Sequence, residues 1–254
     1  MEVQFSIDSP SVVLNPLLSY AIDDKSNELL LLINSVGTLA MHVDGSRVEA
    51  TGLYPELLNG DKHSVSVSWS SLHGRVAFYV NGTLVDSTSG ISTGHVLQAG
   101  GELVLGQEQD SMLGGFQANQ VISGTYYDVR LWNEVRTEAE IAGNHQHKLY
   151  TDTPSATPGA TLIANWQMDG FTASGEVLDV VAGNNLSVGR ASGEGFTTGN
   201  ATAEIQVFEN AVNGTVAGVI VPAVPVIDDL VQDGSFTSDN SCLLYTSPSP
   251  RDRG

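Results

Sequence analysis

The chain holds a single cysteine, Cys242, in 254 residues, so no disulfide can form within it. Basic residues are scarce: 10 Lys and Arg stand against 29 Asp and Glu, for a formal charge of −19. That balance excludes nucleic acid as a partner, because phosphate contacts need Lys and Arg. It also excludes simple electrostatic docking on anionic lipid. The acidic excess fits a secreted, calcium-rich setting, and equally a merely soluble surface. No apolar run approaches the roughly 20 residues of a membrane span. Histidines are few, and His63, His73, His95, His145 and His147 form no metal-spaced set. No Ser-His-Asp arrangement can be read from spacing.

What is present is alternation. Val65, Val67 and Trp69 share one face of Ser64–Trp69 and serines share the other, the pattern of a half-buried antiparallel strand. Val76, Phe78 and Val80 repeat it after a connection near Leu72-His73-Gly74, and Asn81-Gly82 predicts a tight hairpin. Leu29 to Ile33 is an apolar run short enough for a strand covered on both faces. Tyr127, Val129 and Leu131 form another inward face. Many short strands with Gly, Asn and Ser turns predict an all-β sandwich or jelly roll. One helix is expected, opened by the capping box Thr137-Glu138-Ala139-Glu140 and running to about His147.

The chemistry concentrates in Leu105-Gly106-Gln107-Glu108-Gln109-Asp110, followed by Gly114-Gly115-Phe116 and Gln120. On an extended segment Glu108 and Asp110 point to one face and repel unless a cation lies between them. Hard oxygen donors with no His or Cys beside them suit calcium. Alone, Glu-x-Asp would be an acidic surface turn. Its surroundings change that reading: Ser19-Tyr20-Ala21, Asn27-Glu28-Leu29-Leu30, Val67-Ser68-Trp69, Phe78–Gly82, Gly124, Val129–Trp132 and Glu140-Ile141 follow one another in order. With LGQEQD…GGF…Q they resemble the pentraxins over about residues 1–150. Leu162–Asp169 resembles the closing segment of bacterial laminin-G-like modules, relatives with the same jelly roll.

The resemblance implies a concanavalin A-like antiparallel jelly-roll β-sandwich and one or two calcium ions bridged by shared carboxylates. Glu108 and Asp110 would bridge, Gln109 would give its backbone carbonyl, and Asn27 and Gln120 would give side-chain oxygens. Ser26 and Gln117 stand where the family has Asp and Glu, and each removes a charge. Gln117 stays a candidate ligand, but binding is expected to be weak, about 10⁻⁴–10⁻³ M as in extracellular modules. Asp23 and Asp24 lie in the same loop and are candidates to compensate. Leu32 would replace the aromatic platform that selects choline, so cation–π recognition is lost there. A glycan or another phosphorylated headgroup is the expected partner. The family's disulfide positions would fall at Gln4 and Ser66, both lost.

Residues 1–198 are expected to form the jelly roll. No signal-peptide pattern precedes Glu2, and Met1–Asp8 reads as an inner strand, so a preceding strand is expected outside this sequence. Residues 199–241 resemble the start of a cadherin-like repeat, and residues 242–254 read as a non-native translated tail. The leading functional expectation is a non-enzymatic, calcium-dependent, lectin-like or adhesion module of a bacterial, extracellular or cell-surface multidomain protein. A structural spacer that binds no ligand is the alternative. A glycoside hydrolase ranks last, because Leu113 stands where such enzymes carry a third carboxylate. No motif specifies an oligomeric state.

Overall fold

A computed structural model describes residues 1–148, 162–173 and 176–192, and beyond these the strands at 195–198, 205–207, 209–210 and 215–224. The strands are β1 (Glu2–Ser9), β2 (Leu14–Ile22), β3 (Lys25–Asn34), β4 (Leu39–Val43), β5 (Ser46–Glu49), β6 (His63–Ser70), β7 (Arg75–Val80), β8 (Thr83–Thr88), β9 (Gly101–Leu105) and β10 (Ser123–Trp132). After helix α1 (Glu138–Asn144) come β11 (Leu162–Phe171), β12 (Val177–Asp179), β13 (Ser187–Ser192), β14 (Gly195–Thr198), β15 (Ile205–Val207), β16 (Glu209–Asn210) and β17 (Thr215–Val224).

Two antiparallel sheets result. One runs β12-β11-β10-β1-β6-β7-β8, with β15 also paired to β10. The other runs β14-β13-β17-β9-β2-β3-β4-β5, with β16 on β17. The inner faces meet in one core. Val3, Phe5, Val65, Val67, Trp69, Val76 and Phe78 come from the first sheet, and Tyr20, Leu29, Leu31, Met41, Leu103 and Leu105 from the second. This is the expected all-β jelly-roll sandwich with one short helix. The hairpin after β7 has positive φ at both Asn81 (47°) and Gly82 (79°), as the right-handed twist of its strands requires.

The structure refines several expectations. β6 is buried on both faces, not one. Its serines are buried where β6 lies between β1 and β7, and α1 packs on the same sheet beside it, where Ile141 meets Ala77 and Tyr79 of β7. The capping box forms, with the Thr137 hydroxyl accepting from the Glu140 amide at 3.3 Å and the Glu140 carboxylate from the Thr137 amide at 2.8 Å. The helix stops at Asn144, three residues short of His147. The lost-disulfide positions are not partners: Glu2, not Gln4, lies opposite Ser66, and Gln4 lies opposite Ser64. A two-residue offset preserves alternation, so the sequence pattern does not detect it.

The expected repeat at 199–241 lies largely outside the described residues. Of its described strands, β15 pairs with β10 and β17 lies between β13 and β9. Residues 242–254, with Cys242, lie outside the described residues.

Candidate metal centre

Strand β9 ends at Leu105, and Gly106 (φ 80°) turns the chain out of the sheet. The excursion closes on itself before β10. Ile122 N–H donates to Gly106 C=O at 2.8 Å, Gln107 bridges Val121, and Glu108 N–H donates to Gln120 C=O at 3.2 Å. The fully buried Gln107 amide bolts the base, donating to the carbonyls of Gln120 at 2.9 Å and Gln117 at 3.1 Å. Gly115 (φ 68°) passes Asp110 so closely that a Cβ there would lie 2.4 Å from the Asp110 Cβ.

The loop is also anchored laterally. The buried Gln109 side chain donates to Ser19 C=O in β2 at 3.1 Å and to Glu102 C=O in β9 at 3.0 Å, and accepts from Leu113 N–H at 2.8 Å. Gln109 is thus held by its amide, with buried Glu108 on one side of it in sequence and exposed Asp110 on the other.

Glu108 is buried, and its Oε2 accepts no hydrogen bond. Burial first, and the Asp110 charge second, push its carboxyl up to about 7. Asp110 is exposed and accepts from the Gln117 amide nitrogen at 2.7 Å. Oε1 of Gln120 and Oδ1 of Asn27 are also buried acceptors without a hydrogen-bond partner. Buried acceptors are normally satisfied by protein, water or a bound ion. Here all three are hard oxygens, the donor type calcium takes.

The loop brings Glu108, Gln109, Asp110, Gln117 and Gln120 together. Asn27 comes from β3, the strand beside β2, where Ser19 holds Gln109. Consecutive carbonyls of Asn27 and Glu28 both accept from the β4–β5 turn, at 2.9 Å from Gly45 and 3.1 Å from Asp44. Gln117 presents nitrogen, not oxygen, to Asp110; reversing its amide would present Oε1. Leu32 is buried beside Leu30 and Ala40.

The Pentaxin family model matches residues 9–179. The chain belongs to the pentraxin family. Among its relatives, bovine serum amyloid P-component is 32% identical over 64% of this chain and 67% of its own length. C-reactive protein 1.1 of Limulus polyphemus is 36% identical over 49% of this chain and 52% of its own. Of bovine serum amyloid P-component, bovine mucosal pentraxin and this Limulus C-reactive protein, the pentraxin chain spans about half to two thirds of the length. A solved heptameric SAP-like pentraxin from Limulus polyphemus superposes with a TM-score of 0.50 at 26% identity, covering 57% of this chain and 68% of that one. A carbohydrate-binding protein described as putative, from Bacteroides ovatus, shares the fold at a TM-score of 0.54 and 18% identity, covering 80% of this chain and 54% of that one.

Sequence reasoning missed two things. Gln107 lies inside the motif, yet nothing in the text marks it as the bolt of the loop. Glu28, Asp44 and His95 also converge, with Lys25 among them. They are 16 to 67 residues apart, and scanning histidine spacing alone cannot find a set whose other members are carboxylates. Among the described residues, no helix is long and apolar enough to cross a membrane.

Proposed function

We infer that this pentraxin domain is a calcium-dependent binding module of lectin-like type. The observation that carries the inference is the buried Glu108 carboxylate, with an oxygen that accepts no hydrogen bond and the Asp110 charge close enough to raise its pKa, in a loop whose Gln120 oxygen is also unpartnered. Glu108 and Asp110 would share the cation and Gln109 would add its backbone carbonyl. Calcium would supply the positive charge that Glu108 lacks in its buried position, and an open coordination position for an anionic or hydroxyl-bearing ligand. The protein's own residues set where that ligand sits: Gln107 closes the base of the loop on Gln117 and Gln120, Gln109 ties the loop to β2 and β9, and the exposed Asp110 and Gln117 meet solvent.

A glycan or phosphorylated headgroup is the ligand class of this reading; Leu32, expected as the platform position, is buried beside Leu30 and Ala40 and offers a ligand no surface. The fold shared with a protein described as carbohydrate-binding points the same way. An extracellular or cell-surface setting, where calcium is abundant, follows from the expected weak affinity.

One observation favours the spacer alternative. The Gln117 amide already satisfies Asp110 without any cation. Calcium titration by calorimetry separates the two readings. Binding that is lost in Glu108→Gln supports the module, and no binding in the wild type leaves the spacer. Glycan-array and phosphorylated-lipid binding with and without chelator would then define the ligand class.

A further inference from the structure

Lys25 Nζ touches two carboxylates at once, bonding to Asp44 Oδ1 and lying 3.3 Å from Glu28 Oε2. His95 closes the group: its Nε2 is 2.7 Å from Glu28 Oε1 and its Nδ1 is 3.6 Å from Asp44 Oδ2. Glu28 is fully buried. Its Oε1 is fixed by the Gln98 backbone N–H at 2.7 Å as well as by His95, whereas Oε2 faces only the Lys25 ammonium, at 3.3 Å. The candidate ligand atoms of Glu28, Asp44 and His95 all lie within 4.8 Å of one another.

We propose that Glu28, Asp44 and His95 form a second cation site, separate from the Glu108 loop, that takes a borderline divalent transition metal such as zinc. The donor set is one imidazole and two carboxylates, which suits zinc better than calcium. Zinc–ligand distances of about 2.0–2.2 Å put neighbouring donors roughly 3.3 Å apart, so donors now within 4.8 Å of one another would close in, with His95 giving one ring nitrogen to the ion and releasing one of the two carboxylates its ring now meets. The Gln98 amide orients the buried carboxylate, as outer hydrogen bonds do around metal ligands. Lys25 is the resident cation. It brings one positive charge to two carboxylates, and its side chain is about a third exposed, so it can swing out as the metal enters. Three protein donors leave the fourth zinc position to water. The bound ion would tie β3, the β4–β5 turn and the β8–β9 connection together.

Calorimetry of the full 254-residue chain with zinc chloride, in saturating calcium, tests this. One zinc should bind. His95→Ala should weaken it at least tenfold, since losing a ligand exceeds the roughly 10–100-fold effect of losing an outer-shell partner. Asp44→Asn gives a second variant that keeps the turn, because Asn also tolerates the φ of 52° at that position. It should weaken zinc as well. Lys25→Met removes the competitor and should tighten zinc several-fold; binding seen only in that variant, and lost when His95→Ala is added, also supports the ligand set. Zinc affinity unaltered by both His95→Ala and Asp44→Asn overturns the proposal, as does the absence of zinc binding in both wild type and Lys25→Met.

Discussion

Replacing Glu108 with glutamine should act in opposite directions with and without calcium. In chelator, the Glu108 carboxyl is pushed from its ordinary 4.5 to about 7 by burial and by Asp110. The folded state therefore keeps a proton that the unfolded chain releases. Its contribution to stability is fully present below pH 4.5 and is lost as pH rises through about 7. A displacement of that size corresponds to about 3 kcal/mol, at 1.36 kcal/mol per tenfold in proton affinity. Water reaches the rim through exposed Asp110, so the expected loss is about 1–2 kcal/mol. Glu108→Gln has the same shape and no charge, so in chelator at pH 8 it should be more stable than wild type by that amount. At roughly 2–4 °C per kcal/mol for a domain of this size, the difference is readable by scanning calorimetry. In calcium at 100 times the dissociation constant, wild type gains about 2.7 kcal/mol and the variant forfeits it. The order of the two melting temperatures should therefore invert between chelator and calcium at pH 8, and nearly vanish in chelator at pH 4.5. A variant less stable than wild type in chelator at pH 8 refutes the desolvation argument. Equal calcium gains in both proteins refute the ligand assignment.

The remaining predictions concern the rest of the site and the scaffold. Ser26→Asp and Gln117→Glu should each tighten calcium in calorimetry and do so more together; the double variant less stable in calcium than wild type would favour the spacer. Phe78→Ala, at a side chain 1% exposed, should cost about 3–5 kcal/mol in denaturant titration. Gly124→Ala should disrupt the β1–β10 pair, because its Cβ would lie 2.0 Å from the Ser6 carbonyl oxygen; a native-like melting curve would contradict the register. Arg130→Met should destabilise by about 3–5 kcal/mol, since it strips the buried Asp128 and Glu2 of the guanidinium that each holds, at 2.6 and 2.9 Å.

The strands were legible where period-two alternation is clean, as at Val65-x-Val67-x-Trp69 against Val76-x-Phe78-x-Val80, which the register places opposite one another. The turn at Asn81-Gly82 and the cap at Thr137 were legible because each needs particular residues at fixed spacing. The covering of β6 on its outer face was not, because serine tolerates burial next to a helix that the local pattern does not place. The loop around Glu108 was legible as a contiguous motif. Its support was not: Ser19 is 90 residues from Gln109, and such pairings leave no local trace. Glu28 was hidden for a similar reason, since its partners His95 and Gln98 lie 67 and 70 residues away.

That long separation has a kinetic side. The Glu108 loop is seated on β2 only after a segment of 90 residues has closed, so its geometry belongs to the end of folding rather than to its nucleus. A cation that recognises this geometry has nothing to grip in the unfolded chain or in an early transition state. Its stabilisation then falls on the unfolding limb: calcium slows escape from the native state and leaves the rate of reaching it nearly unchanged. On the proposed reading the ion would act as a latch set after the door has shut, and its free concentration would govern how long the domain stays closed.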